Sequence, residues 1–169
     1  MSKQFEWSDN IINSRDIIDL LSEIKYEYDT LVDAMETCVL NLSNYHADII
    51  DGKITHDQNV LNILESEKQE IRDDIHEFMN SEDKIMMDKL SQIDFELRDI
   101  NGYHRGIELI NSTYFTEYVK STFDGEDGVV IPNHWPWNHV KIDWDAAANE
   151  IKPEYVTVDV DKYTFYVKD

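Results

Sequence analysis

The sequence predicts an α+β protein: a long antiparallel, coiled-coil-like hairpin of acidic helices, then a small α+β unit that ends in a β-hairpin. Three observations predict it. An apolar ladder at Ile17, Leu21, Ile24, Tyr28, Leu31, Met35, Cys38, Leu42, Tyr45 and Ile49 alternates steps of four and three without a miss, the seam of one long helix. The short link Gly52-Lys53-Ile54 then leads into a second helical pattern, and a link this short favours antiparallel neighbours. At the end, Val156, Val158 and Val160 alternate, as do Tyr163, Phe165 and Val167, around an Asp161-Lys162 turn. Character changes at Asn101-Gly102, so residues 1–101 read as the helical arm and 102–169 as the small unit. Apart from Gly52 and Trp7, every glycine, tryptophan and proline lies from that point onward.

Each element has a local reason. Residues 1–12 form a lead in which Phe5, Trp7, Ile11 and Ile12 can pack back on the rest. Asn13 or Ser14 can cap the first helix, with Asp16 in its first turn, where the helix dipole favours a carboxylate. Asp51-Gly52 ends it, because glycine accepts the left-handed conformation that follows many helices. Thr55-His56-Asp57-Gln58 has the form of a capping box. The second helix carries Leu61, Leu64, Ile71, Ile75 and Phe78 on one face, with Lys68 where an apolar residue is due. Around Asn80-Ser81-Glu82-Asp83 the phase slips, and the helix either restarts or continues with a stutter into Met86, Leu90, Ile93, Leu97 and Ile100. Asn111-Ser112 can cap a helix through Tyr114, Phe115, Tyr118, Val119 and Phe123. A glycine-broken loop (124–128), an apolar run Val129-Val130-Ile131 and a turn-rich segment His134 to His139 follow. Asp143 to Ile151 reads as a helix with Trp144, Ala147, Ala148 and Ile151 on one face.

Charge is the strongest bulk signal: 36 Asp plus Glu against 15 Lys plus Arg, a net of −21. Both halves are acidic, with 24 acids and 9 bases up to Asn101 and 12 and 6 beyond. On the first helix Asp16, Asp19, Glu23, Asp29, Asp33 and Glu36 fall away from the seam, and only Glu27 flanks it. Such a field repels nucleic acid and anionic membrane and attracts basic surfaces, unless it merely keeps the protein solvated. The acids are interleaved with Ile, Leu, Tyr and Trp, which excludes a disordered acidic tail. Cys38 lies on the apolar seam, has no partner for an internal disulfide, and fits a reduced cytoplasmic setting. No signal peptide and no membrane-length apolar run is expected.

Signatures of catalysis are lacking: no phosphate-binding glycine loop, nucleophile elbow or HExxH pair. His134 and His139 with Asp143 and Asp145 match no zinc spacing, so packing is the favoured reading there. The tryptophans at 135, 137 and 144 lack the lysines and arginines that accompany base stacking. Asp73-Asp74 and Glu82-Asp83 could be drawn as a divalent-ion site, but adjacent helix acids are usually solvated. No enzyme activity, cofactor or metal is expected. What remains is the acidity. Duplex DNA carries a charge about every 1.7 Å of axis, while helix carboxylates at i and i+4 rise about 6 Å. One stripe is sparser than DNA, and two or three acidic helices side by side come closer.

Three segments resemble a known family. They are Ser14-Arg15-Asp16-Ile17-Ile18-Asp19, the run Ile107 to Tyr118 (IELINSTYFTEY), and Trp135 to Val167 (WPWNHVKIDWDAAANEIKPEYVTVDVDKYTFYV). In this order they resemble the ArdA-like antirestriction proteins of phages and plasmids. The resemblance covers about half the chain, mostly Gly106 to Val167, and departs from the family pattern in the short loop at 124–128. It implies a DNA mimic that occupies the DNA-binding groove of a type I restriction-modification enzyme in the host cytoplasm. The matching acids are Asp16, Asp19, Glu117, Asp143, Asp145 and Asp159. With Glu23, Asp73, Asp74, Glu77, Asp124, Glu126 and Asp127 they make up the candidate partner-binding surface. The expected partner is a DNA-binding protein with a basic groove, with no direct contact to nucleic acid or membrane. A homodimer could use leftover seam or the strand edge of the terminal hairpin. The alternatives are a coiled-coil adaptor or assembly protein whose acids only keep it soluble, or an inhibitor of another nucleic-acid-binding defence system.

Overall fold

The computed structural model describes residues 6–123 and 141–168. The fold is α+β, with a long N-terminal helix and a small antiparallel sheet of four strands. In chain order the elements are β1 (Ile11–Asn13), α1 (Ser14–Ile50), α2 (Gln58–Met79), α3 (Glu82–Leu97) and α4 (Tyr103–Gly106). There follow β2 (Glu108–Asn111), α5 (Phe115–Phe123), α6 (Trp144–Ile151) with a 3₁₀ turn at Lys152–Glu154, β3 (Tyr155–Val160) and β4 (Tyr163–Lys168). The chain forms two compact units, one made of residues 1–20 with 90–169 and the other of residues 21–89.

In the second unit the seam does what its spacing demands. From Leu21 to Ile49 every ladder residue of α1 is buried or half-buried, while Asp29, Asp33 and Glu36 are exposed. Its partner is α2. Tyr28 packs against Phe78 with tilted rings, centroids 5.2 Å apart, and the Cys38 thiol donates to the Leu64 carbonyl at 3.6 Å. The Tyr45 hydroxyl lies 2.8 Å from both the backbone N–H and the carbonyl of Asp57. As α1 advances its partners run backwards along α2, so the two helices meet antiparallel. The start of α2 differs from the capping-box reading: Asp57, not Thr55, takes the cap, its carboxylate accepting the Asn59 N–H at 2.8 Å. Gly52 adopts the left-handed φ of +68° that a helix exit asks for. Between α2 and α3 the helix restarts. Asn80 closes α2, and the Ser81 hydroxyl accepts the Lys84 N–H at 3.2 Å while donating to the Phe78 carbonyl at 2.7 Å.

The first unit is built on the sheet, in the order β1-β2-β4-β3 with every neighbouring pair antiparallel. Register sets Ile110, Tyr166 and Thr157 on one face, which α5 and α6 cover. There Ile110, Phe115, Val119 and Ala148 form a buried cluster, with the Phe115 ring 4.7 Å from Tyr166 and 5.0 Å from Tyr155. The face predicted for α6 is the inward one: Ala148 is buried, and Trp144, Ala147 and Ile151 are half-buried. Asp143 caps α6, accepting the Ala146 N–H at 3.0 Å. On the other face Ile12, Leu109, Val158, Val160, Phe165 and Val167 are nearly inaccessible, with Trp7 edge-on to Phe165. Burying each such side chain is worth about 1.5–3 kcal/mol. Three elements, β1, β2 and the short helix α4, were not expected. Residues 11–13 and 108–111 are strands, and α5 starts at Phe115 rather than straight after an Asn111 or Ser112 cap. The Asn111 side chain instead folds back on Thr113, accepting its N–H at 3.1 Å and its hydroxyl at 2.8 Å.

Ser14 joins these pieces. Asn13 is the residue that caps α1, its side-chain oxygen accepting the Arg15 N–H at 2.9 Å. Ser14 is fully buried: its hydroxyl donates to the Tyr103 carbonyl at 2.6 Å and accepts the Ile107 N–H at 2.9 Å. Its backbone N–H donates to the Ile107 carbonyl at 2.9 Å. Gly106 lies beside this clamp with φ +97°, where a Cβ would stand 2.8 Å from the Asn13 side-chain oxygen. Only glycine satisfies both the angle and the space.

Ser14→Ala removes the shared partner of two backbone groups, one buried and one half-buried, and should destabilise the protein by about 2–6 kcal/mol, from 1–3 kcal/mol per orphaned group. The urea midpoint measures it, and a midpoint equal to the wild type would mean both groups find other partners. A second prediction concerns alkali. The buried Tyr103 phenol donates to Asp94 at 3.0 Å, and burial first, then that hydrogen bond and the carboxylate charge, hold it well above its ordinary value of 10.0. Tyr118 and Tyr155 are also raised, chiefly by burial. The unfolded chain ionises these phenols near pH 10 and the folded chain does not. Their contribution is therefore complete below that pH and falls away above it. Tyr103→Phe should flatten the fall; melting curves from pH 8 to 11 that run parallel for both proteins would refute the assignment.

Candidate acidic interface

In residues 21–89 the sequence places 17 Asp and Glu against 6 Lys and Arg, a net of −11. The remaining 100 residues hold 19 and 9, a net of −10, so charge is denser in the helical unit. Asp48 is the half-buried one of the 17; the others are exposed. The folding of this unit explains the distribution. The seam takes the apolar residues inward, and the remaining helix surface is left to carboxylates. Ion pairs seen here are local: Lys53 with Asp48 and Asp51 at 3.1 and 3.0 Å, and Lys84 with Asp88. Exposed pairs of this kind contribute little to stability, because water screens them.

One concavity gathers acids from three stretches of chain. Glu27 and Leu31 from α1, Asp74, Glu77 and Phe78 from α2, and Ser81 and Asp83 line a groove of about 360 Å³. Its base is apolar, the buried Phe78 and the half-buried Leu31, and its rim carries four carboxylates. A lysine or arginine suits such a shape, with an apolar stem over the base and the cation at the rim. Among the described residues no group of three or more His, Cys, Asp or Glu is arranged to hold a metal ion.

The candidates named from sequence scatter over several elements. Asp16 is half-buried in the first turn of α1, and Asp19 and Glu23 are exposed further along it. Asp73, Asp74 and Glu77 are exposed on α2, and of these Asp74 and Glu77 reach the groove. Glu117 is exposed on α5, with Lys120 at 3.9 Å. Asp143 is committed to capping α6, Asp145 lies in its first turn, and Asp159 on β3 accepts the Thr164 hydroxyl at 2.6 Å. Asp124, Glu126, Asp127 and the histidines at 134 and 139 lie outside the described residues. Glu27 and Asp83 were missed as groove acids. The signal was Glu27's place beside the seam, since a flanking position looks toward the edge of the partner helix. No helix among the described residues is long and apolar enough to cross a membrane.

No protein-family model matches this chain, and neither does any curated protein or solved structure.

Neutralising the rim together (Glu27→Gln, Asp74→Asn, Glu77→Gln, Asp83→Asn) should raise the melting temperature at low salt and by less at high salt, because like charges repel within a Debye length of roughly 10 Å at 0.1 M. A melting temperature that does not change at low salt would mean the four carboxylates do not strain the fold.

Proposed function

We propose that this chain is a non-enzymatic inhibitor that presents carboxylates in place of nucleic-acid phosphates to the basic groove of a DNA-binding defence enzyme in the host cytoplasm. A type I restriction-modification complex is the first target, as the resemblance to ArdA-like antirestriction proteins implies. In this reading α1 and α2 act as a coiled-coil-like acidic arm. The observation that carries it is the net −11 on residues 21–89, nearly all of it on exposed carboxylates. Two antiparallel helices side by side double the linear charge of one stripe, which brings it closer to that of a nucleic-acid backbone. Association would be fast and salt-sensitive, with energy spread over many contacts.

A second reading has its own support. Tyr26, Ile63 and Leu40 are 76%, 65% and 59% exposed on the same two helices, more apolar surface than phosphate mimicry requires. In that reading the chain is an adaptor that binds through apolar helix faces, and added salt leaves binding unchanged.

The test is competition between the purified protein and labelled duplex DNA for a type I restriction-modification complex, at low and high salt. Displacement that fades with salt, and that weakens when Glu27, Asp74, Glu77 and Asp83 are reversed together but little when one is, supports mimicry. Loss of activity from one exposed Asp→Ala in an intact fold would rule out a distributed surface. Displacement indifferent to salt would favour the adaptor.

A further inference from the structure

Interior and charge are divided unevenly between the two units. The sheet unit buries Tyr103, Leu109, Phe115 and Phe165 almost completely. Between Leu21 and Lys89 the buried side chains are Ile24, Cys38, Leu42 and Phe78, on a stretch with a net charge of −11. Four of its carboxylates share one groove: Glu27 comes from α1, Asp74 and Glu77 from α2, and Asp83 from the first turn of α3. Lys84, the next residue in sequence, is paired with Asp88. The elbow between α1 and α2 is fastened differently. There the Tyr45 hydroxyl holds both backbone groups of Asp57, and Lys53 bridges Asp48 and Asp51. Attraction acts at the elbow, and repulsion acts along the rim.

We propose that residues 21–89 are an ion-gated element. At low ionic strength the repulsion at the rim parts α1 from α2 while the sheet unit stays folded, and screening cations close the seam again. Two terms of different range set the balance. Apolar packing in the seam acts only at contact and responds weakly to dilute salt. Repulsion between the carboxylates reaches across the screening length, which shrinks from about 30 Å at 0.01 M salt to about 10 Å at 0.1 M. Helices that part lose the packing that supplies most of their stability, so their amides become open to exchange. The bonds at the elbow keep the two helices in register, and the same pairing re-forms on closing. A partner surface of lysines and arginines would act as salt does, so the arm would close on what it binds. That consequence rests on the inhibitor reading; the gate does not.

Hydrogen exchange of the full chain, read peptide by peptide at about 0.01 M and about 0.1 M salt, tests the gate. Amides of β2 and β4 in the same molecule are the reference, since any effect of salt on the exchange chemistry acts on both units alike. Relative to them, α1 beyond Leu21 and α2 should exchange on the order of tenfold more slowly at the higher salt. Glu27→Gln, Asp74→Asn, Glu77→Gln and Asp83→Asn together should bring the low-salt rate to the wild-type high-salt rate. Neutralising Asp29, Asp33, Glu36 and Glu65 instead, which lie outside the groove, should do less. An equal response from that second set would make net charge, not the rim, the cause, and overturns the proposal. Helix amides indifferent to salt overturn it too. So do sheet amides that speed up in step at low salt, because the opening would then be global.

Discussion

The buried hydroxyl of Ser14 is the constraint on which the sheet unit depends. One oxygen satisfies backbone groups of Tyr103 and Ile107, residues far away in the chain, at the point where a strand becomes the longest helix. No apolar side chain could do this, because it would leave each group without the partner that the hydroxyl supplies. The consequences spread outward. The clamp orders Tyr103 to Ile107, which forces Gly106 into its left-handed turn against Asn13, and β2 starts immediately afterwards in register with β1. The start of α1 is thereby fixed to the sheet before its seam is used at all.

The helical unit works under a different physics. Within residues 21–89 the buried side chains are Ile24, Cys38, Leu42 and Phe78, and the rest of the seam is half-buried. Against that thin interior stands a net charge of −11. The interior is thin and the exposed carboxylates repel one another within a screening length, so this unit's stability and the ionic environment are linked. Lys68 fits the same account: it holds a seam position half-buried, its methylenes suited to apolar neighbours and its ammonium to the acids around it.

How much of this could be read from the chain depended on periodicity. The α1 ladder, the inward face of α6 and the β3–β4 hairpin each repeat a spacing long enough to be unmistakable. β1 and β2 do not. β1 has three residues, and in β2 Leu109, Ile110 and Asn111 are all buried, so neither shows the alternation of a half-exposed strand. Their pairing joins chain segments that no local pattern connects. The cap of α2 was misplaced because two residue types that cap helices, Thr55 and Asp57, stand close together, and the choice between them was made by Tyr45 from another helix. Of the groove acids, Asp74 and Glu77 were legible as part of an acidic helix. That they share a rim with Glu27 and Asp83 is a property of the antiparallel pairing and the break at Asn80-Ser81.

Cys38 carries a consequence for how the helix pair can be watched. Its thiol is 2% exposed and points into the seam, against the Leu64 carbonyl of the neighbouring helix. A thiol reagent can reach it only when α1 and α2 part locally, so the rate of its alkylation counts those openings directly. The chain thus contains its own clock for breathing of the acidic helices, at a single sulfur and without any introduced label.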